Sequence, residues 1–233
     1  MRHKLPLLFL PGLLNTQAIW SHQVENLADL TTPFVGDLTV ADSISGLAEA
    51  VLAAAPDRFA LAGLSMGGYV AFEIMRTTPD RVERLALVDT TAHPDAPEQS
   101  AKRTVLVAQA RSEGLDAVIP QLLPAFLSPD GAQDPTLVQS VSEMAHDIGA
   151  DAFGRQQSAI MGRPDSRPDL LGIACPTVVI VGQQDSMTGG EIAQEMVDGI
   201  PDAVLAEIPK AGHLSPLENP AAVTAALRNW LDI

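Results

Sequence analysis

The feature of this chain that most limits its fold is a series of short apolar runs separated by stretches of helical periodicity. Residues 5–10, 59–64, 85–88, 177–181 and 204–208 are apolar rather than alternating, apart from Thr177 and Glu207. Strands buried on both faces read this way, which predicts a parallel sheet covered by helices. Residues 33–38 form a weaker run of the same kind. Between the runs, residues 18–30, 44–54, 66–77, 191–200 and 221–231 carry helical spacing. Such alternation predicts an α/β fold: a mostly parallel sheet of about six strands with right-handed crossovers.

The alternation breaks after Thr91 and resumes near Asp169. Asp134-Pro135 suits a helix start, with Asp as cap and Pro in the first turn. Leu137, Val138, Val141, Met144, Ala145 and Ile148 then follow helical spacing. Val105 and Ala108 sit on a second candidate helix, and Pro120 and Pro124 restrict a third to short pieces. The expected organisation is a core domain of residues 1–91 and 170–233 with a helical cap inserted at 92–169. A length of 233 residues accommodates this as one domain with an insertion.

The formal net charge is −15. A polyanion is repelled by nucleic acid and anionic lipid, so neither is an expected partner. Acidity does not restrict a neutral small-molecule substrate, which is the expected partner. The single cysteine, Cys175, cannot form an internal disulfide and reads as a packed strand-edge residue. Arg2, His3 and Lys4 ahead of the first apolar run resemble a secretory signal, but Pro11-Gly12 interrupts the run and no cleavage site follows. The same residues serve as a first buried strand, and a cytoplasmic location is expected.

Gly63-Leu64-Ser65-Met66-Gly67 stands between an apolar run and a helical pattern. A G-x-S-x-G sequence in that context forms a sharp strand-to-helix turn that lifts the serine hydroxyl above the strand ends. A serine needs a base to act as nucleophile. Of the five histidines, His213 lies just after the last strand run and before the last helix, in Ala211-Gly212-His213-Leu214-Ser215. His3, His22, His93 and His146 lie elsewhere, although His93 has a place near a pocket. The imidazole in turn needs a carboxylate to hold its tautomer. Asp185, after the run at 177–181, is the first candidate. Asp89, at the end of the run beside the serine, is the alternative acid.

Acyl transfer also calls for two N–H groups to meet the developing oxyanion. Met66, directly after the serine, offers one. The loop Leu10-Pro11-Gly12-Leu13-Leu14-Asn15 offers the other, with Leu13 first and Leu14 next. The pocket is expected to draw on Leu14, Trp20, Leu123, Phe126, Leu127, Met161 and Leu214.

Together these residues resemble small bacterial α/β-hydrolases of the esterase, enol-lactonase and perhydrolase type. The likeness is strongest at residues 10–20, 60–68, 81–89, 176–185 and 212–220. The family often opens its oxyanion loop with His-Gly; Pro11-Gly12 stands there in this chain, with Trp20 at the matching offset. The order Ser65, Asp185, His213 is the order of this fold. The resemblance implies hydrolysis of a small carboxylic ester with an apolar part through an acyl-enzyme, with no metal and no organic cofactor. Lactone or C–C hydrolysis and cofactor-free perhydrolysis use the same three residues. A ligand-binding module with little turnover is the reading from a different class.

Overall fold

The computed structural model describes residues 4–232. The apolar runs become six strands: β1 (Leu5–Leu10), β2 (Thr31–Val35), β3 (Phe59–Leu64), β4 (Val82–Val88), β5 (Thr177–Gly182) and β6 (Val204–Ile208). They form one sheet in the order β2-β1-β3-β4-β5-β6. Every neighbouring pair is parallel. All residues of β3 and β5 are buried, as helices on both faces of a parallel sheet require. Parallel strands place all their carboxyl ends at one edge, so the loops leaving β1, β3, β4 and β5 and the loop after β6 meet there.

The helices α1 (Ser21–Asn26), α2 (Ile44–Ala54) and α3 (Met66–Thr77) lie between the first four strands. A helical excursion separates β4 from β5 and holds α4 (Pro97–Glu113), α5 (Ile119–Phe126) and α6 (Pro135–Met161). The chain finishes with α7 (Gly190–Gly199), α8 (Ser215–Glu218) and α9 (Pro220–Leu231). Asp134 caps α6 by accepting from the Thr136 N–H at 2.8 Å. Gly149, at φ 78°, interrupts the helical backbone of α6 midway. The excursion is stitched together around the buried carboxylate of Asp95, which accepts from Arg103 Nε at 3.1 Å and Arg163 Nη1 at 2.8 Å. Among the described residues no helix is long and apolar enough to cross a membrane.

Three elements differ from their sequence reading. β2 starts at Thr31 and ends at Val35 because its register against β1 pairs Leu5 with Thr31 and Phe9 with Val35. Asp37 then turns the chain by accepting from the Thr39 N–H at 2.9 Å. Pro33 is tolerated because β2 is an edge strand. Second, the expected helix at 18–30 is a 3₁₀ turn, Gln17–Trp20, followed by the short α1. Trp20 is drawn onto the sheet there: its indole N–H donates to the Leu10 carbonyl at 3.2 Å and its ring packs 4.7 Å from that of Phe9. Third, β4 begins at Val82, three residues earlier than its apolar run.

Candidate active site

β3 runs into Ser65 and stops abruptly. Ser65 has φ 51° and ψ −112°, a strained conformation for a residue with a Cβ. Two hydrogen bonds hold it: Ser65 N–H to the Val88 carbonyl at 2.9 Å, and the Thr90 hydroxyl to the Ser65 carbonyl at 2.8 Å. The flanking glycines are required by contact. A Cβ on Gly63 would lie 2.4 Å from the Gly67 carbonyl oxygen, and one on Gly67 would lie 2.3 Å from that of Leu10. The turn therefore stands only with hydrogen at both positions.

His213 reaches this serine from the loop after β6. Its Nε2 lies 2.8 Å from Ser65 Oγ, and its Nδ1 lies 2.9 Å from Asp185 Oδ2. With Nδ1–H given to the carboxylate, Nε2 is left to accept from the hydroxyl. The Asp185 carboxylate also accepts from the Thr188 hydroxyl at 2.5 Å and from the N–H groups of Met187 at 2.8 Å and Thr188 at 3.1 Å. Burial works to raise the pKa of Asp185, but the neighbouring imidazolium charge and these donors prevail and hold it down at about 2. Burial likewise opposes the imidazolium of His213, but the charge and hydrogen bond of Asp185, with Asp89 and Glu218 beyond, prevail and raise its pKa.

Asp89 does not bond to the imidazole. Its carboxylate accepts from the N–H of Gly182 at 2.8 Å and of Ser215 at 3.2 Å, so it ties the end of β4 to β5 and to the histidine loop. Complete burial and the nearby Asp185 charge push its pKa up to about 7, with His213, Ser215 and the Gly182 N–H pulling it back. The other described histidines are engaged elsewhere: His22 with Thr224, His93 with Glu195 and His146 with Asp116. His3 lies outside the described residues.

Met66 is the first residue of α3, and its N–H, like that of Leu13, has no acceptor among the described residues. Leu14, by contrast, donates to Gln156 Oε1 at 3.1 Å. The loop thus offers Leu13 rather than Leu14 as a vacant donor. Gly12 packs against the serine: a Cβ there would stand 3.4 Å from Ser65 Cβ.

Of the expected pocket residues, Phe126 stacks over His213 with ring centroids 6.3 Å apart. The Leu214 N–H donates to the Phe126 carbonyl at 3.0 Å. Leu127 packs against Gly212, Leu14 is buried in the loop after β1, and Leu123 is half-buried on α5. Trp20 is fully buried, its indole N–H bonded to the Leu10 carbonyl behind the serine turn. Met161 lines a groove between α4 and α6 with Thr104, Val107 and Arg111, which none of Ser65, Asp185 and His213 lines. A cavity of about 320 Å³ opens beside the loop after β1, between Pro11, Asn15, Leu38, Thr39 and Ile148.

Two residues near the site carry no sequence signal of their own. Gln156, on α6, pairs with the loop after β1. Glu218, on α8, accepts from the N–H of Gly212 at 2.7 Å and of Ser128 at 2.8 Å. Each is a lone polar residue whose partners lie on distant segments, so neither spacing nor composition marks it.

A thermophilic esterase from Thermogutta terrifontis has a structure that matches this one with a TM-score of 0.90 and 30% sequence identity, over 99% of this chain and 90% of that one. A pimeloyl-[acyl-carrier protein] methyl ester esterase of Chromobacterium violaceum is 26% identical over 179 residues, 73% of this chain and 68% of that protein. A 3-oxoadipate enol-lactonase of Acinetobacter baylyi is 27% identical over 166 residues, 71% of this chain and 60% of that protein. A family model described as the alpha/beta hydrolase family matches residues 7–227. The chain belongs to the alpha/beta hydrolase family.

Proposed function

We propose that the chain is a serine hydrolase that cleaves small carboxylic esters through an acyl-enzyme. The reading rests on one observation above all: a histidine nitrogen 2.8 Å from a serine hydroxyl held on a strained turn, with a carboxylate 2.9 Å from the other ring nitrogen. His213 takes the proton of Ser65 as Oγ attacks the ester carbonyl. The oxyanion is met by the N–H groups of Leu13 and Met66. His213 then protonates the departing alkoxide as the C–O bond breaks. Water, deprotonated by His213 in turn, hydrolyses the acyl-enzyme and restores the serine. Asp185 holds the imidazole tautomer and stabilises the imidazolium. The helical excursion acts as the cap, and Phe126, Leu127 and Leu214 present apolar surface beside the histidine.

A lactone is an internal ester, and the same steps open it. The similarity to an enol-lactonase supports this second reading. Hydrolysis of short p-nitrophenyl esters and of simple lactones, each with a Ser65→Ala control, tests both. Rates equal in the two proteins would refute the assignment of Ser65, and the ratio of ester to lactone turnover separates the readings.

A further inference from the structure

We propose that Gln156, on the helical excursion, is the positioning residue of the oxyanion loop; this rests on the hydrolase reading above. Gln156 is 1% exposed, and both atoms of its amide are used. Oε1 accepts from the Leu14 N–H at 3.1 Å, and Nε2 donates to the Leu38 carbonyl at 3.2 Å. One side chain of α6 therefore bridges the loop after β1 and the loop after β2.

The bridge falls on a strained residue. Leu14 has φ 58°, in the left-handed region that a leucine avoids. Its N–H belongs to the peptide that joins it to Leu13. Fixing that peptide fixes the torsion of Leu13 and so the direction of the Leu13 N–H on the preceding peptide. The same bond occupies the N–H next to that of Leu13, so Leu14 does not compete for an oxyanion. Gln156 is the acceptor that satisfies the buried Leu14 N–H; without it that group is unpaired, and the strained turn has lost the contact that holds it. Arg155 makes a parallel contact, Nε to the Thr39 carbonyl at 2.8 Å, and among the described residues its side chain makes no hydrogen bond to the loop after β1. The geometry thus separates two adjacent residues of α6: one that reaches the oxyanion loop and one that does not.

The test compares Gln156→Met, Gln156→Glu and Arg155→Ala with wild type in ester hydrolysis. Native near-UV circular dichroism identifies folded protein. A short alkyl trifluoromethyl ketone, which forms a hemiketal oxyanion on the serine, reports the oxyanion site directly. In Gln156→Met, kcat falls about 10²-fold while KM moves by less than about threefold, and affinity for the ketone falls in step with kcat. Gln156→Glu retains an acceptor for Leu14 and keeps at least about a tenth of the wild-type kcat. Arg155→Ala keeps it all. A wild-type kcat in folded Gln156→Met, an equal loss in Gln156→Met and Gln156→Glu, or a change in KM alone overturns the proposal. Should Gln156→Met not fold, Gln156→Glu decides: retention supports the proposal and a loss of about 10²-fold overturns it. Wild-type hydrolysis that survives Ser65→Ala overturns the reading of the site itself, and this proposal with it.

Discussion

One carboxylate oxygen of Glu218 lies 2.7 Å from the amide nitrogen of Gly212, the residue before His213. The other oxygen lies 2.8 Å from the amide nitrogen of Ser128, where α5 has just ended. Glu218 thus clasps the histidine loop to the helical excursion through two charge-assisted hydrogen bonds. Replacing it with Ala strands two backbone N–H groups. A loss of about 2 kcal/mol of stability is expected, or roughly 5 °C in a chain of this size. Gln, with one acceptor oxygen, should fall between Ala and wild type. Calorimetry of the three proteins checks the order, and a melting temperature unchanged in Glu218→Ala contradicts the clasp.

The two buried aspartates beside His213 should answer differently to the same substitution. Asp185 touches Nδ1 of the imidazole, while Asp89 bonds to backbone N–H groups of Gly182 and Ser215. Asp185→Asn presents an amide where the ring N–H needs an acceptor, so turnover should drop about 10⁴-fold. Asp89→Asn leaves that contact intact and should lower turnover far less. Steady-state hydrolysis of one ester by both variants decides between them; an inactive Asp89→Asn beside a near-normal Asp185→Asn would exchange their roles.

The pH dependence follows from the same pair. The base must be neutral, and the pKa of His213 is raised above its ordinary value by Asp185, with Asp89 and Glu218 adding to it. The acid limb of kcat/KM should therefore lie above about pH 6.5, the ordinary imidazole value. Asp89→Asn should move the part of that limb above about pH 7, where Asp89 is ionised, to lower pH.

Stability carries a second signature of Asp89. Its folded pKa is about 7 against an ordinary 3.8, so between those values the folded protein holds a proton that the unfolded chain has released. Stability therefore falls as pH rises through this window, by at most about 1.4 kcal/mol per pH unit. His213, whose pKa is also raised, adds a fall in the same direction above the ordinary imidazole value. Asp185, held at about 2, contributes stability that is lost only on acidification below its ordinary 3.8. Asp89→Asn should flatten the fall between about pH 4 and pH 7. Urea titrations across that range measure it, and parallel curves for both proteins would rule Asp89 out as the cause.

What could be read beforehand was whatever leaves a local signature. The strand cores, the turn at Ser65 and the loop position of His213 each follow from neighbours in sequence, because backbone strain and strand burial restrict residue type locally. The start of β4 did not show, since Glu83 and Arg84 interrupt its apolar pattern although both lie in the strand. Trp20 was legible as a large residue near the first loop, but its direction depends on the Leu10 carbonyl beneath it. Gln156 and Glu218 act through backbone groups that other segments bring to them, and only the tertiary fold reveals those partners.

Gly212 shows why contact and conformation must be kept apart. Gly212, directly before His213, is not among the residues with positive φ. What it lacks room for is a side chain: a Cβ would lie 2.4 Å from the Ser128 nitrogen and 2.7 Å from the Leu127 carbonyl carbon. Both are backbone atoms and cannot rotate away. Gly212→Ala should therefore lever the loop off the end of α5 and carry the imidazole with it, and a displacement of about 1 Å at the reacting atoms lowers turnover about 10²-fold. Gly114 supplies the contrast, with φ 87° and nothing within 4 Å of an added Cβ. Gly114→Ala should cost about 2 kcal/mol of stability through strain alone and leave turnover intact. Activity and melting temperature of the two variants separate these effects; if Gly114→Ala lost more activity than Gly212→Ala, packing of the histidine loop against the excursion would not be what sets the imidazole.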